Sequence, residues 1–458
     1  MPRHRRFDLA DLGLPNSSPG FAHLVRSNSD VTVVQVSKSG HDAKLWTRSA
    51  AGRILAIRRQ GTAKSWAKVI MAAFLPVDFP NSVSSDYLAY QTYDSLQAFF
   101  STITSLLASR ALLQGLGVGD ANSSATFAML LTIMRDAVSN VVTIVFAHRF
   151  GLSIEPEAKK YRFLADLFND SAFFLELYSP HLGSWAKAMA LCSAEGLRAV
   201  CGVAAGASKA ALSLHFAKND NLSELSAKEA SQETAVSLVG LLVGTVVVRA
   251  VQDHSLVVCL VVALSLAHLW TNYCGVRSVC MTSVNKQRAT ILFDAYLRSS
   301  TVLTPRQVAE SERIVFWDGL MRNARHEPVL RILYAKSFGD AMNNGARDII
   351  AVDGPMHTSF IRPYAPGRPG TIKILLWEGA SAEHAILAWF MAMDTAWTTT
   401  ADAPYGDAGL EKKIWTPRAR DDLLWTNLEA RGWDLGTAAM ETGPGVRLSV
   451  ERSGCKSE

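Results

Sequence analysis

The sequence predicts a mainly α protein: a multi-helix bundle with helices suited to a membrane, preceded by a short N-terminal β-hairpin and followed by a small C-terminal α+β domain. Three observations carry that expectation. Apolar residues recur at helical spacing from residue 65 to about residue 300, with turn signals between the segments. Hydrophobic residues make up 49% of the chain and charged ones only 19%, with a mean hydropathy of +0.12; charge in soluble domains usually approaches a quarter. Beyond Ser300 short strand-like runs alternate with two helices. A chain of 458 residues buries a sizeable core, and the texture divides it into an extension over 1–64, a helical domain over 65–300 and an α+β domain over 301–458.

The first twenty residues are basic but lack an apolar stretch, so they are read as a disordered extension and not as a secretory signal; a mitochondrial or plastid presequence stays open as the alternative, weakened by Asp8 and Asp11. VTVVQV at 31–36 and RILAIR at 53–58 flank the turn-like Ser39-Gly40 and predict the hairpin. Pro76 and Pro80 hold the chain extended, after which Ser82, Ser84 or Ser85 caps a helix. Helices are predicted over 82–116, 123–150, 156–178, 183–217, 223–251, 255–273 and 281–298.

Uncharged run length bounds the membrane expectation. Residues 255–276 give 22 positions without Asp, Glu, Lys or Arg, about 33 Å of helix against a hydrocarbon core of about 30 Å. The runs 234–248, 95–109 and 121–134 are shorter and suit core helices as well as spans. Gly240-xxx-Gly244 and Gly202-xxx-Gly206 lie in apolar helices, where small residues let backbones approach in either setting.

In the last third, Thr304-Pro305 opens a charged helix, 372–378 reads as a strand, 381–398 and 417–431 as helices and 446–450 as a closing strand. The segment 354–370, with Pro355, Pro363, Pro366 and Pro369, reads as an irregular loop. Trp377, Trp389, Trp397, Trp415, Trp425 and Trp433 are assigned to core packing, with a partner surface as the alternative.

Several chemistries find no support. A net charge of +5 without a dense Lys/Arg stripe disfavours nucleic acid. Six cysteines in apolar surroundings, without a CxxC pair, suit buried reduced thiols inside the cell. No HExxH or paired HxxxH suggests a metal, and no GxSxG elbow accompanies the SxxK of Ser283 and Lys286. GLGVG at 115–119 follows an apolar helix and precedes Asp120, so it reads as a helix-ending turn and not as a phosphate cradle. His148, His215, His254 and His268 are isolated near or within apolar helices and read as satisfied core or interfacial imidazoles.

The polar residues inside apolar helices are the candidate site. Asp86, Tyr90, Asp94 and Gln97 recur every three or four positions and share a helix face. Asp166, Asn169 and Asp170 make a second stripe, and Arg277, Asn285 and Arg288 a third; Arg110, Arg135 and Asp136 interrupt apolar helices, where a charge is expensive unless paired. Two readings stay open: an interhelical hydrogen-bond and ion-pair network, or a polar cavity for an anionic or zwitterionic small molecule.

FLPVDFPNSVSSDYLAYQTYDSLQAFF at 74–100, GLGVG at 115–119, KKYRFLADLFND at 159–170 and NYCGVRSVCMTSVNKQR at 272–288 together resemble the root UV-B sensitive family, whose shared domain has been catalogued as of unknown function. The chain departs from that pattern at Asp78 and Phe79, where glycine and tyrosine are usual, at Tyr93, where tryptophan is usual, and in RDAVSNVV at 135–142, where a glycine-rich helix is usual. The resemblance implies a part in UV-B or light-linked development and in vitamin B6 homeostasis and a partner of the same family (homo- or hetero-oligomer); the apolar runs and the reduced thiols imply an intracellular membrane. It names no reaction, and the residues identify no cofactor, pyridoxal phosphate Schiff-base site or ligand. The expectation is therefore a membrane-associated protein without an identifiable catalytic motif; the alternatives are a carrier with a charged cavity between its helices and a soluble cytoplasmic enzyme with an unrecognised site.

Overall fold

The computed structural model describes residues 32–36, 43–48, 54–57, 71–116, 125–342, 349–363, 369–399 and 422–450. The expected disordered extension, Trp415, Cys455 and most of the 115–119 glycine loop lie outside the described residues. The chain forms two units, Met1–Val83 and Ser84–Glu458.

In the first unit, β1 (Thr32–Val36), β2 (Ala43–Arg48) and β3 (Ile54–Ile57) form an antiparallel meander with β2 in the middle. The predicted hairpin is thus corrected: VTVVQV and RILAIR do not pair with each other, and both pair with AKLWTR, with Val34 opposite Leu45 and Trp46 opposite Ala56. The middle strand escaped the sequence reading because Lys44 and Arg48 dilute its β-branched and aromatic content. Asp78, standing where the family pattern carries glycine, has φ +63°, a left-handed conformation that glycine takes freely and Asp tolerates.

The second unit begins with six helices: α1 (Tyr87–Gly115), α2 (Ala125–Ile154), α3 (Ala158–Tyr178), α4 (Ser184–Phe216), α5 (Leu222–Ala250) and α6 (His254–Ser278). All except α3 are long and apolar enough to cross a membrane. Counting uncharged runs marked only α6, because such a run ends at a single charge, whereas the length and composition of the other four tolerate one or two. Asp253 caps α6, accepting from the Leu256 N–H at 2.9 Å. None of the predicted serines caps α1; Asp86 precedes it without a capping bond of its own. Gly240 and Gly244 let α5 close on α1, where a Cβ would meet Thr102 Cβ at 3.0 Å and Leu106 Cδ1 at 2.5 Å respectively, whereas Gly202 and Gly206 face open space.

After α6 the chain turns into α7 (Lys286–Ser299), capped by Asn285, and α8 (Pro305–Ser311), which opens with a Thr304/Gln307 capping box. A mixed sheet follows, built from β4 (Leu320–Arg322), β5 (Pro328–Tyr334), β6 (Ile350–Gly354), β7 (His357–Arg362) and β8 (Gly370–Trp377) in the order β4-β5-β8-β7-β6, with β9 (Arg447–Leu448) pairing with the end of β8. The short α9 (Phe338–Ala341) lies between β5 and β6, while α10 (Ala382–Thr398) and α11 (Asp422–Ala430) complete the layer. The expected irregular loop at 354–370 is corrected: residues 357–362 of it are β7, a buried strand between β6 and β8, with 364–368 outside the described residues. Thr358 and Ser359 of this strand are buried, and Thr358 Oγ1 donates to Asp353 Oδ1 at 2.7 Å.

Phe293, Leu292 and Ala289 of α7 pack with Trp389 and Phe390 of α10 and with Ile372, Ile374 and Leu376 of β8 in one core. Trp389 and Trp433 are buried there and donate to Thr290 Oγ1 at 3.2 Å and to the Leu303 carbonyl at 2.8 Å. Residues 286–299, assigned to the helical domain from sequence, thus supply one side of the α+β core.

Candidate functional site

The stripe on α1 turns inward, as its spacing predicts. Asp86, Tyr90, Asp94 and Gln97 are all buried. Their main partner is α3, where Arg162, Asp166 and Asp170 follow one another at four-residue spacing and so line one face. Arg162 Nη2 donates to Asp94 Oδ1 at 2.6 Å and Arg162 Nε to Tyr90 Oη at 3.2 Å. Gln97 Nε2 and Asn272 Nδ2 both donate to Asp166 Oδ2. On α6, one turn before Asn272, His268 Nδ1 lies 2.9 Å from Asp170 Oδ1, and its Nε2 lies 3.7 Å from Asp166 Oδ2. Three helices are thereby laced by a ladder of charges and amides within an apolar bundle. Burial pushes the Asp170 carboxyl above its usual range, with His268 pulling the other way.

Asp86 makes a separate node. It accepts from Ser84 Oγ at 2.5 Å and from the Cys280 N–H at 2.7 Å, and lies 3.0 Å from His215 Nε2. Burial works to raise its pKa, but His215, the Cys280 amide and Ser84 outweigh it and hold the carboxyl well below the ordinary range.

Arg135 belongs to a third group joining α2, α3 and α4: its Nη2 lies 2.7 Å from Glu195 Oε2 and 3.7 Å from Glu176 Oε1, while Arg198 grips both oxygens of Glu176. Burial pushes the Glu176 carboxyl up against the pull of Arg198.

The fourth group closes the seam between α3 and α7. Lys159 Nζ lies 2.6 Å from Glu312 Oε2 and Arg288 Nε 3.0 Å from Glu312 Oε1, while Arg288 Nη1 reaches Ser283. Asn285 donates to the Pro156 carbonyl at 2.8 Å while capping α7. Burial would raise the Glu312 pKa, but Arg288 and Lys159 hold it down at about 2. A cavity of about 70 Å³ opens beside this group, lined by Glu157, Lys159, Lys160, Lys286, Arg288 and Arg313 among others.

Four sequence-predicted residues stand outside these groups. Asp136 and Arg277 are exposed; Arg277 bonds the Glu310 carbonyl at 3.0 Å and lies over the Tyr273 ring. Asn169 is half-buried and joins no group, and Arg110 donates to the Val251 carbonyl at the end of α5, 3.1 Å away. The aspartates of the stripes meet Arg162, His215 and His268, and not Arg110, Arg135, Arg277 or Arg288. Reading Lys159, Arg162 and Asn272 only as parts of motif blocks hid the i, i+4, i+8 spacing of Arg162, Asp166 and Asp170. Of the histidines, His268 is buried and His215 half-buried, each against a carboxylate, whereas His148 and His254 are exposed. The five described cysteines are free, and Cys259, expected in the interior, is exposed on α6.

A family model described as a vitamin B6 photo-protection and homoeostasis domain matches residues 60–300. Over 252 residues the chain is 39% identical to RUS family member 1 of Dictyostelium discoideum, covering 54% of this chain and 48% of that protein. It is 33% identical to root UVB sensitive 3 of Arabidopsis thaliana, covering 58% of this chain and 60% of that one. Root UVB sensitive 2 of the same plant, labelled chloroplastic, is 28% identical over 57% of this chain and 60% of its own. The chain thus spans about half to three fifths of the length of these relatives, and no solved structure matches it. With the domain match extending over more than half of the chain and the motif blocks inside it, this protein belongs to the root UVB sensitive family.

Proposed function

We propose that the protein is a membrane-embedded member of its family that serves vitamin B6 homeostasis and the UV-B response as a scaffold or binder and not as an enzyme. One observation carries the membrane reading: the bundle is apolar outside and polar inside. Ile133, Ile144 and Val145 on α2, Leu242 and Val246 on α5, and Leu266 and Trp270 on α6 are exposed, while Asp94, Arg162, Asp166, Asp170 and His268 are buried against one another. Soluble monomers rarely leave so much contiguous apolar surface in water, and lipid accepts it at no cost. The inner charged groups already satisfy each other, which supports a holding role over turnover. A second family member is the partner that the resemblance suggests. Alkaline carbonate extraction of membranes tests the reading: retention in the pellet is expected, and release into the supernatant overturns it.

A carrier is the second reading, favoured by Asn272 Oδ1, a buried acceptor that meets no donor among the described residues while its amide nitrogen bonds Asp166. Ionisable groups within spans commonly mark solute or proton paths. Solute uptake by proteoliposomes that is lost in Asp166→Asn while the fold is retained would establish it over the scaffold.

A further inference from the structure

The cleft between α3, the start of α7 and residues 312–317 holds an unbalanced charge. Lys159 and Arg288 are 3% and 2% exposed and share a single carboxylate, Glu312. Buried charge is costly unless it is matched. Lys159 Nζ carries three donors and, among the described residues, meets only Glu312. Toward the mouth, Lys286 Nζ donates to Thr442 Oγ1 at 2.8 Å and joins no salt bridge among the described residues. Arg313 is exposed and likewise joins none. Lys160 is matched by Glu157 at 2.6 Å. Five cationic side chains and two carboxylates therefore line the space, an excess of three positive charges.

The space fits a small guest. At roughly 10–15 Å³ per water, about 70 Å³ accommodates a group of some five heavy atoms. The cations approach from separate elements, Lys159 from α3, Lys286 and Arg288 from α7 and Arg313 from the segment after α8. Such a spread suits a tetrahedral anion better than a planar carboxylate, and an excess of three positive charges suits a dianion. We propose that this cleft binds a phosphate group, free or at the end of a phosphomonoester, with Lys159, Lys286, Arg288 and Arg313 as its cationic contacts. Two of its walls come from the motif blocks 159–170 and 272–288. The proposal stands whether or not the bundle lies in a membrane.

Calorimetric titration of the purified full chain with inorganic phosphate, phenyl phosphate and acetate tests it, with thermal unfolding in parallel. Phosphate is expected to bind and to raise the melting temperature. Lys286→Gln and Arg313→Gln, both at side chains that join no described salt bridge, are each expected to weaken binding about tenfold, the worth of one charge-assisted contact. Phenyl phosphate binding tenfold or more tightly than phosphate identifies a phosphomonoester, and equal affinities identify the free anion; either supports the site. No heat with millimolar phosphate, acetate binding as tightly as phosphate, or an unchanged affinity in the Lys286→Gln/Arg313→Gln double variant overturns it.

Discussion

Arg162 and Asp94 meet at 2.6 Å between α3 and α1, both buried, with Tyr90 closing a triangle to each. Removing one partner of such a pair leaves the other charge stranded, which costs about 3–5 kcal/mol. Asp94→Asn is expected at the low end of that range, because the amide still accepts a hydrogen bond, and Arg162→Met at the high end. The double change Asp94→Asn/Arg162→Met should be milder than the sum of the two single changes by at least about 1 kcal/mol. Denaturant melts of the four proteins measure the coupling, and simple additivity would refute it.

Arg277 offers the contrast. Its side chain is exposed and, among the described residues, hydrogen-bonds only the Glu310 carbonyl and the Tyr273 hydroxyl. Arg277→Gln should therefore change stability by no more than about 0.5 kcal/mol, and a loss comparable to that of Asp94→Asn in the same melts would place it in the inner network after all.

Glu312 predicts an acid limb. Its pKa is held at about 2 in the folded chain, below the ordinary 4.5, so its contribution is complete above about 4.5 and is lost as pH falls from there toward 2. The loss amounts to about 3 kcal/mol at most. Unfolding free energies measured from pH 7 down to 2.5 should fall along this limb, and Glu312→Gln should flatten it while lowering stability at pH 7. An unaltered slope in the variant would mean that other carboxylates cause it.

The glycines of α5 should be unequal to those of α4. Gly240→Leu drives a side chain into Thr102 and the Phe99 carbonyl of α1, whereas Gly202→Leu enters open space. A loss of about 1–3 kcal/mol or more is expected for the first and little change for the second. Melting temperatures decide the matter, and equal effects would refute the α1–α5 contact.

Helix positions were legible because apolar periodicity and turn residues are local: every predicted helix from 82 to 298 has its counterpart, displaced by a few residues at its ends. The inward direction of the Asp86–Gln97 stripe was legible for the same reason. Its partners were not, since Asp94 and Arg162 lie 68 positions apart and nothing local distinguishes Arg162 from Arg135 or Arg277 as the matching cation. Exposure failed for Asp136 and Arg277 on similar grounds: both lie in or beside apolar sequence, yet each falls on the outward side of its helix. The β7 strand was hidden by the prolines around it, which mark its ends and not its interior.

Glu312 follows the last residue of the domain match at 300, yet among the described residues it is the only carboxylate that Lys159 and Arg288, both inside that match, hold in common. A piece of the chain cut at that boundary would keep two sequestered cations and lose their counterion, and α7 would be stripped of the sheet and α10 that cover its apolar side. The matched segment is accordingly not an autonomous module: the carboxylate that Lys159 and Arg288 share, and the cover over α7, are supplied by residues that come after it.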